Sequence, residues 1–572
     1  MDKKTITIGG NELEYVIYDD TITDSRVVAI TRAINVQGAF EIPCRIDGYA
    51  VVKISEGAFC DCGNLTGITI PNIVTNIGQQ AFLGCSKLTS VTIPVGVTSI
   101  GYELFSGCEA LTRVLIPEGV MNIEALAFDS CVSLTSVTIP ASVTNIGWGA
   151  FSGCRNLTSI TIPNGVTEIG DQTFCNCSNL MSITIPVGVT TIGNRGSSFA
   201  ADIFAGGAFA GCSSLRSVVI PVGVTSIGIC TFLSCDNLTS VLIPSSVTEI
   251  GCSAFAGCRS LTSVTISANV TDIGTGAFSG CRSLTSIVIP VGVTNIREEV
   301  FSGCSSLMSV TIPPGATVIE DKAFSGCSSL ANVTISDGVT RIGKEAFSGC
   351  SSLISVTIPP SATIIEDRAF KGCCSLTRVT ISSSVASIGY SAFLGCRGLT
   401  SVHITDLAKW CAISFGSRDA NPLSIAHNLY LKNEKVAELV IPNGVTSIRK
   451  YAFSGCSSLT SVTILDEVKR IEEYAFKDCV NLVDVLISSG SSCEFFMGAF
   501  DGCVNLKRIR FLDRKTGVVK SVALDDIKYC GNCGCSSPDD GWWPDPDWRE
   551  ESGWNDVYGR GVEASDIIDF GD

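Results

Sequence analysis

Residues 82–101 read FLGCSKLTSVTIPVGVTSIG, and this phrase recurs with few changes along most of the chain. The phenylalanine of the usual AF pair marks 18 units between Phe59 and Phe500, and consecutive marks are 23 residues apart except at three places. The exceptional spacings are 35, 60 and 24 residues. A fixed period of this length is typical of architectures in which similar units stack on one another. We therefore predict one repeat solenoid rather than several independent domains.

A single unit, residues 85–107, predicts two short extended segments and one tight turn. Val91 and Ile93 alternate with hydroxyl side chains, which is the pattern of a half-buried strand, and Pro94 ends the strand. A second extended segment ends after Ile100, and the residues that follow are too few for more than one helical turn. One unit cannot bury its own apolar side chains. Stacking aligns them in a continuous core, with the strands in a long parallel sheet.

The recurring pattern CxxLxxVxIPxxVxxIGxxAFxG resembles the BspA-like, or Treponema pallidum-type, leucine-rich repeat. The resemblance covers about residues 40–510, and the following residues of the quoted unit recur in register: Leu88, Val91, Ile93, Pro94, Ile100, Phe105 and Cys108. It implies an α/β repeat solenoid that is mainly β. The expected form is an elongated, curved, right-handed leucine-rich-repeat superhelix of about 18 coils.

The breaks in the period define the expected domains. Residues 1–39 should form an N-terminal β cap, because the first coil would otherwise expose its core. The repeats at 40–510 carry insertions at 194–207 and 406–437. Residues 511–535 should be a C-terminal cap with a CxxCxC motif, and residues 536–572 an acidic, Trp-rich, flexible tail with 11 Asp or Glu against two Arg.

The overall composition argues against nucleic acid as a partner and against a membrane span. The net charge is −16, and no basic stripe is available to neutralise phosphates. Ser, Thr, Gly or Pro interrupts every apolar run well short of the roughly 18 residues that a spanning helix needs. The N-terminus lacks the apolar segment of a secretory signal, and we see no membrane anchor.

Cysteine is abundant, and 18 of the 29 cysteines occupy one repeat position, from Cys62 to Cys503. Equivalent positions in adjacent coils should lie about 4.8 Å apart with parallel side chains, whereas a disulfide needs Cβ atoms at about 3.8 Å that face each other. We therefore predict a ladder of small buried thiols rather than disulfides or zinc ligands. The CGNCGC segment at 530–535 leaves metal binding, a local disulfide and free thiols open.

No motif predicts catalysis, a cofactor or a metal site. The chain has two histidines, and a nucleophilic pair between Cys411 and His427 would need mutual contact and an orienting third group that the spacing does not predict. Dinucleotide-binding, P-loop and HExxH motifs are absent from the sequence. We predict a protein that is not an enzyme.

Two regions supply candidate binding residues. One is the outer face of the strands, which either offers hydroxyl groups to glycans and polar proteins or only preserves the outer face of a duplicated array; its candidates are Ser90, Thr92, Thr138, Thr161, Thr184, Thr265 and Thr311. The other is the insertion at 406–437, which resembles an island that recurs in this repeat family. Its candidates are Trp410, Phe415 and Tyr430, which either contact a ligand or pack within a modified coil.

These observations predict a binding scaffold whose partners are proteins or glycans. The family resemblance implies a cell-surface or secreted protein that adheres to host matrix proteins, to cells or to glycans. The alternative is an intracellular structural or scaffolding protein in the cytoplasm, since abundant unpaired thiols suit a reducing compartment.

Overall fold

A computed structural model describes residues 3–20, 24–193, 206–488, 493–512 and 517–524. It is a mainly β, parallel solenoid of about 20 turns with a period near 23 residues and few helices, which confirms the predicted fold class. The chain divides into two compact units. Unit 1 comprises residues 1–316 and 323–330, and unit 2 comprises residues 317–322 and 331–572.

In unit 1, each typical coil contributes one three-residue strand whose middle side chain is buried. Strand Ser90–Thr92 pairs in parallel with Arg113–Leu115, one repeat later, so that Val91 lies opposite Val114. We call this sheet the first ladder. Its strands in unit 1 are Gly38–Glu41, Leu65–Thr69, Ser90–Thr92, Arg113–Leu115, Ser136–Thr138, Ser159–Thr161, Ser182–Thr184, Ser240–Leu242, Ser263–Thr265 and Ser309–Thr311, with single bridges at Ser217 and Ser286.

A second series of parallel strands in unit 1, the second ladder, consists of two-residue strands that end in a buried isoleucine and form several short sheets. Ile100 lies opposite Ile123, for example, and each is fully buried. The strands are Asn76–Ile77, Ser99–Ile100, Asn122–Ile123, Asn145–Ile146, Glu168–Ile169, Thr191–Ile192, Ser226–Ile227, Glu249–Ile250, Asp272–Ile273 and Asn295–Ile296. The turn after each strand carries the repeated phenylalanine.

These phenylalanines form a continuous ring stack through the core of unit 1. Successive ring centroids from Phe59 to Phe324 are 5.2–5.7 Å apart, and the planes are nearly parallel. The adjoining turns approach so closely that a Cβ at Gly107, where φ is +72°, would lie 3.4 Å from the Cα of Gly84. Glycine is frequent there because positive φ disfavours a side chain, although Ser130 occupies the same repeat position with a φ of +57°.

The recurring cysteines lie beside this ring stack. Cys85 is fully buried, and its thiol donates a hydrogen bond to the carbonyl of Phe59, in the preceding coil, over 3.1 Å. Cys258 and the carbonyl of Phe232 repeat this contact at 3.1 Å. The thiol therefore fills a small apolar site and also pairs with a buried carbonyl of the turn, which an alanine could not do.

The N-terminal strands form a sheet that joins the first coil of unit 1. Strands Lys4–Ile8, Asn11–Asp20 and Ser25–Ala33 pair antiparallel in succession, and Tyr49–Ile54 then joins Ser25–Ala33 in parallel. The short strand Arg45–Ile46 pairs with Tyr49–Ile54. Tyr49–Ile54 also pairs in parallel with Asn76–Ile77, the first strand of the second ladder.

Unit 2 repeats both ladders as far as the insertion. Its first ladder comprises Asn332–Thr334, Ser355–Thr357, Arg378–Ile381, Ser401–Ile404, Leu429–Leu431 and the antiparallel hairpin strand Glu434–Lys435. Its second ladder comprises Val318–Ile319, Arg341–Ile342, Ile364–Ile365, Ser387–Ile388 and Ser414–Phe415. The insertion adds helix Leu407–Cys411, the 3₁₀ turn Arg418–Ala420 and helix Leu423–Ala426.

Two new sheets begin in unit 2 after the insertion. One contains Glu438–Val440, Ser461–Ile464, Asp484–Ser488, Arg508–Leu512 and the antiparallel Val519–Ala523, and the other contains Ser447–Ile448, Arg470–Ile471 and Glu494–Phe495. Several segments that the sequence singled out lie outside the described residues: 194–205 of the first predicted insertion, the CGNCGC segment and the acidic tail.

Candidate functional site

The outer face of the first ladder presents the hydroxyl side chains that the sequence predicted. Because strand side chains alternate, burial of the middle residue leaves both flanking residues on the outer face. All seven predicted residues are exposed there: Ser90, Thr92, Thr138, Thr161, Thr184, Thr265 and Thr311. Whether they bind a ligand remains a prediction.

Hydroxyl groups at neighbouring repeat positions differ in their hydrogen bonding. The threonine just before the strand bonds to the preceding coil: Thr89 Oγ1 donates to the carbonyl of Thr66 over 2.8 Å, and Thr135 Oγ1 to that of Thr112 over 3.2 Å. Within the described part of the chain, the hydroxyl of Thr92 has no such bond, and the same holds for the other six predicted residues. Those hydroxyls are available to water or to a ligand.

Three exposed aliphatic side chains, here called the apolar stripe, interrupt the hydroxyl face of unit 1 and were not among the predicted binding residues. At the third strand position, where most coils carry threonine, Val219, Leu242 and Val288 are 78%, 64% and 79% exposed. Parallel bridges of their coils join Ser217 to Ser240 and Ser263 to Ser286. The three side chains span about 14 Å at about 4.8 Å per coil, with the exposed Thr265 of the intervening coil between Leu242 and Val288. The signal in the sequence is an aliphatic residue at a position that should face solvent.

The insertion buries two of its three predicted ligand-binding residues. Trp410 and Phe415 are 1% and 5% exposed, with their rings 5.4 Å apart, edge to face. The indole Nε1 of Trp410 donates to the carbonyl of Ala452 over 2.9 Å. Placing these two residues on a binding surface is therefore wrong, because they form the core of a modified coil. Tyr430 is half-buried on the first ladder and stays a candidate.

Tyr430 belongs to a polar cluster on the first ladder of unit 2. Its ring stacks on that of His403 with centroids 4.6 Å apart, and the two residues lie opposite each other in the parallel pairing of their strands. Arg378 Nη2 donates to Asn433 Oδ1 over 3.3 Å. We call Arg378, His403, Tyr430 and Asn433 the Arg378 cluster. Burial, together with the nearby Arg378, lowers the pKa of His403, so its imidazole is neutral at neutral pH.

The potential nucleophile of the insertion is poorly suited to chemistry. Cys411 is fully buried, and burial raises the pKa of its thiol to about 12, so the thiol is protonated at neutral pH. His427 Nδ1 lies 2.8 Å from the carbonyl oxygen of Gly455. Across the residues that the structure describes, no group of three or more His, Cys, Asp or Glu side chains could hold a metal ion. Within the same ranges, none of the helices has the length and apolarity needed to cross a membrane.

Comparison with known proteins agrees with this architecture. The family model for the BspA type leucine rich repeat region (6 copies) matches residues 52–153, 98–200, 202–331, 317–416 and 423–528. A leucine-rich repeat protein from Bacteroides ovatus is 30% identical over 70% of this chain and 98% of its own, with a TM-score of 0.53.

Two further solved structures are similar in sequence. A leucine rich cell surface protein from Faecalibacterium prausnitzii is 27% identical over 72% of this chain and 98% of its own, with a TM-score of 0.36. The T. pallidum leucine rich repeat protein is 24% identical over 48% of this chain and 88% of its own, with a TM-score of 0.25. None of the curated proteins matches. The register of the repeat, the two ladders and the family match together show that the chain belongs to the BspA-type leucine-rich repeat family.

Proposed function

We propose that this chain is a non-enzymatic scaffold that binds a protein partner along the outer face of the first ladder in unit 1. The family is a non-catalytic repeat fold, and its leucine-rich repeats typically bind proteins. The observation that carries the proposal is the apolar stripe of Val219, Leu242 and Val288, which is exposed within a face of free hydroxyl groups.

The energetics favour the stripe as the centre of the interface. Burying an exposed valine or leucine side chain contributes about 1.5–3 kcal/mol, so three of them supply about 4.5–9 kcal/mol before the costs of association. Met181 and Met308 are also exposed, at the position just before the strand in their coils. The surrounding serines and threonines contribute little net affinity, but their hydrogen bonds give a polar rim and fix the register of the partner.

The role of the stripe can be tested by substitution with threonine, because most other coils carry threonine at this strand position. In the triple variant V219T/L242T/V288T, each stripe residue becomes the threonine that most coils carry there. The matched control is Leu115→Thr, since Leu115 is 69% exposed at the same strand position outside the stripe. Binding to immobilised fibronectin, laminin and collagen should fall at least tenfold in the triple variant and little in the control. Equal binding by the wild type, the triple variant and the Leu115→Thr control would refute the assignment of the stripe.

We further propose that the partner is a host matrix or cell-surface protein or glycoprotein and that this chain acts outside the cell. Support comes from the family resemblance and from the Faecalibacterium relative, which is described as a cell surface protein. The competing proposal is an intracellular scaffold, supported by the many buried free thiols of the described residues, which a reducing compartment would preserve.

Protease shaving of intact native cells separates the two locations. Repeat peptides released without a cytosolic marker protein support the extracellular proposal. Their absence from the shaved fraction, with abundant protein in the soluble lysate, contradicts adhesion and supports the intracellular scaffold.

A further inference from the structure

The Arg378 cluster departs from the repeat at a defined point of unit 2. The third strand position is threonine at Thr334, Thr357 and Thr380, and the residues in register with it in the next two coils are His403 and Tyr430. In register, Tyr430 lies opposite Lys435 of the hairpin strand. A flat hydroxyl face thus ends in adjacent aromatic rings and cationic side chains.

Arg378 is the charged centre of this surface, and its guanidinium lacks a carboxylate partner. Elsewhere in unit 2, Arg341 pairs with Glu366 at 2.6 Å and Arg368 with Glu345 at 3.3 Å. Within the described residues, Arg378 is exposed and forms no ion pair. A guanidinium has five N–H donors, and the bond to Asn433 Oδ1 engages one nitrogen, so donors remain for a carboxylate.

The hairpin turn holds the acceptor that orients this guanidinium. Lys432 and Asn433 have φ values of +50° and +72°, a left-handed pair that fits the two-residue turn between Leu429–Leu431 and Glu434–Lys435. The turn brings the Asn433 side chain back over the ladder, where its oxygen accepts from Arg378. A cation fixed in this way loses less conformational entropy when it binds an anion.

The groups around Arg378 suit a sugar better than an apolar protein segment. The cluster's three first-ladder strands offer the half-buried hydroxyl of Thr380 and the half-buried ring of Tyr430, which stacks on His403. His403 itself is only 9% exposed, and the half-buried Ser401 donates its hydroxyl to the carbonyl of Thr377 over 3.4 Å. None of these positions carries the exposed aliphatic side chain seen in the unit 1 stripe. Lys435 is exposed beside Tyr430 and adds positive charge.

We propose that the Arg378 cluster binds a carboxylate-bearing saccharide, with the guanidinium of Arg378 paired to the carboxylate and the sugar hydroxyls bonded to the adjoining polar side chains. This site is separate from the protein-binding stripe of unit 1 and does not depend on it.

The test uses the two histidines of the full-length chain as reporters. His403 lies within the cluster, whereas His427 is bonded to the carbonyl of Gly455, so histidine-selective NMR gives one reporting and one control resonance. The probes are tri-galacturonate, neutral maltotriose and a tri-glutamate peptide. Tri-galacturonate should shift the His403 resonance in a saturable manner and leave His427 unchanged, and maltotriose should bind at least tenfold more weakly.

The variants separate a specific site from general cationic attraction. Arg378→Ala should weaken tri-galacturonate binding at least tenfold, and Arg378→Lys should restore it only in part, because lysine lacks the planar fork. Arg113→Ala is the matched control, since Arg113 is exposed at the same first strand position of a unit 1 coil. An unchanged His427 resonance shows that the variant has folded.

Three results would overturn the proposal. They are no change at His403 with tri-galacturonate, equal weakening by Arg113→Ala and Arg378→Ala, and tri-glutamate binding as tight as tri-galacturonate. The last result would assign the cluster to acidic peptides. None of these outcomes bears on the matrix-protein assay of the stripe, so failure of one proposal is distinguishable from failure of the other.

Discussion

Replacement of Phe255 by alanine tests whether the ring stack holds the solenoid together. Phe255 is fully buried, and its ring centroid lies 5.2 Å from that of Phe232 and 5.3 Å from that of Phe278. Truncation of a buried phenylalanine to alanine costs about 3–5 kcal/mol in lost transfer free energy and cavity formation. The variant also loses two stacked contacts, each worth about 0.5–1.5 kcal/mol beyond the area buried.

The expected loss should be local, since each coil of a repeat array contacts only its neighbours. Amide hydrogen exchange followed by mass spectrometry can resolve this. The lower end of the summed cost, about 4 kcal/mol, corresponds to roughly 1,000-fold faster exchange when opening is in rapid equilibrium. We expect this acceleration in the coils of Phe232, Phe255 and Phe278 and little change in unit 2.

Two comparison variants sharpen the measurement. Phe59, the first ring of the stack, has one stacked phenylalanine neighbour in the described residues, Phe82 at 5.3 Å, so Phe59→Ala should cost about 0.5–1.5 kcal/mol less than Phe255→Ala. Thr265→Ala changes an exposed residue and should stay within about 0.5 kcal/mol of wild type. The reasoning fails if Phe255→Ala costs less than about 1 kcal/mol, or if exchange accelerates equally throughout unit 1.

Three further predictions concern the insertion, the thiols and the histidine. Asn421→Ala should lower the free energy of unfolding by about 1–3 kcal/mol in urea titrations, because the buried amide donates to the carbonyl of Tyr451 over 2.6 Å; an unchanged midpoint would contradict this. In the described chain the exposed cysteines are Cys44, Cys252 and Cys374. Iodoacetamide should label these three well before the buried repeat cysteines, because a buried thiol reacts only after unfolding; peptide mass spectrometry can follow the order of labelling. Because the folded pKa of His403 is lowered, the unfolded chain binds more protons below about pH 6.5, and stability should fall there as pH falls. His403→Thr should flatten this dependence between about pH 7.5 and pH 5 in urea titrations, and an equal slope in both proteins would contradict the assignment.

Much of the architecture could be predicted from the sequence because the determining interactions repeat. The spacing of Val91, Ile93 and Phe105 specifies which side chains point inward, and the period brings each onto its counterpart in the next coil. The exposed Ser90 and Thr92 follow from the same alternation. The spacing within one coil and the stacking of successive coils place the same side chains in the core, so the repeat alone was enough to predict which residues are buried.

The insertion resisted prediction because its contacts are not periodic. An isolated tryptophan in a polar segment is compatible with either a binding surface or a core. Only the folded chain shows that Trp410 is 1% exposed and that its indole donates to the Ala452 carbonyl. Likewise, Arg378 and Asn433 are 55 residues apart in the chain and meet because the hairpin turn folds back over the ladder.

The sequence by itself therefore determined the period, the inward and outward positions of the strands and the family of the fold, since each depends on spacing within one coil and its neighbour. Only the tertiary structure decided which departures from the repeat remain at the surface. The stripe of Val219, Leu242 and Val288 stays exposed because nothing in the described chain packs over the outer face there, whereas Trp410 finds a hydrogen-bond acceptor and a core in the coil that follows. Burial of an aperiodic side chain depends on the three-dimensional position of its partners, which the spacing of residues does not encode.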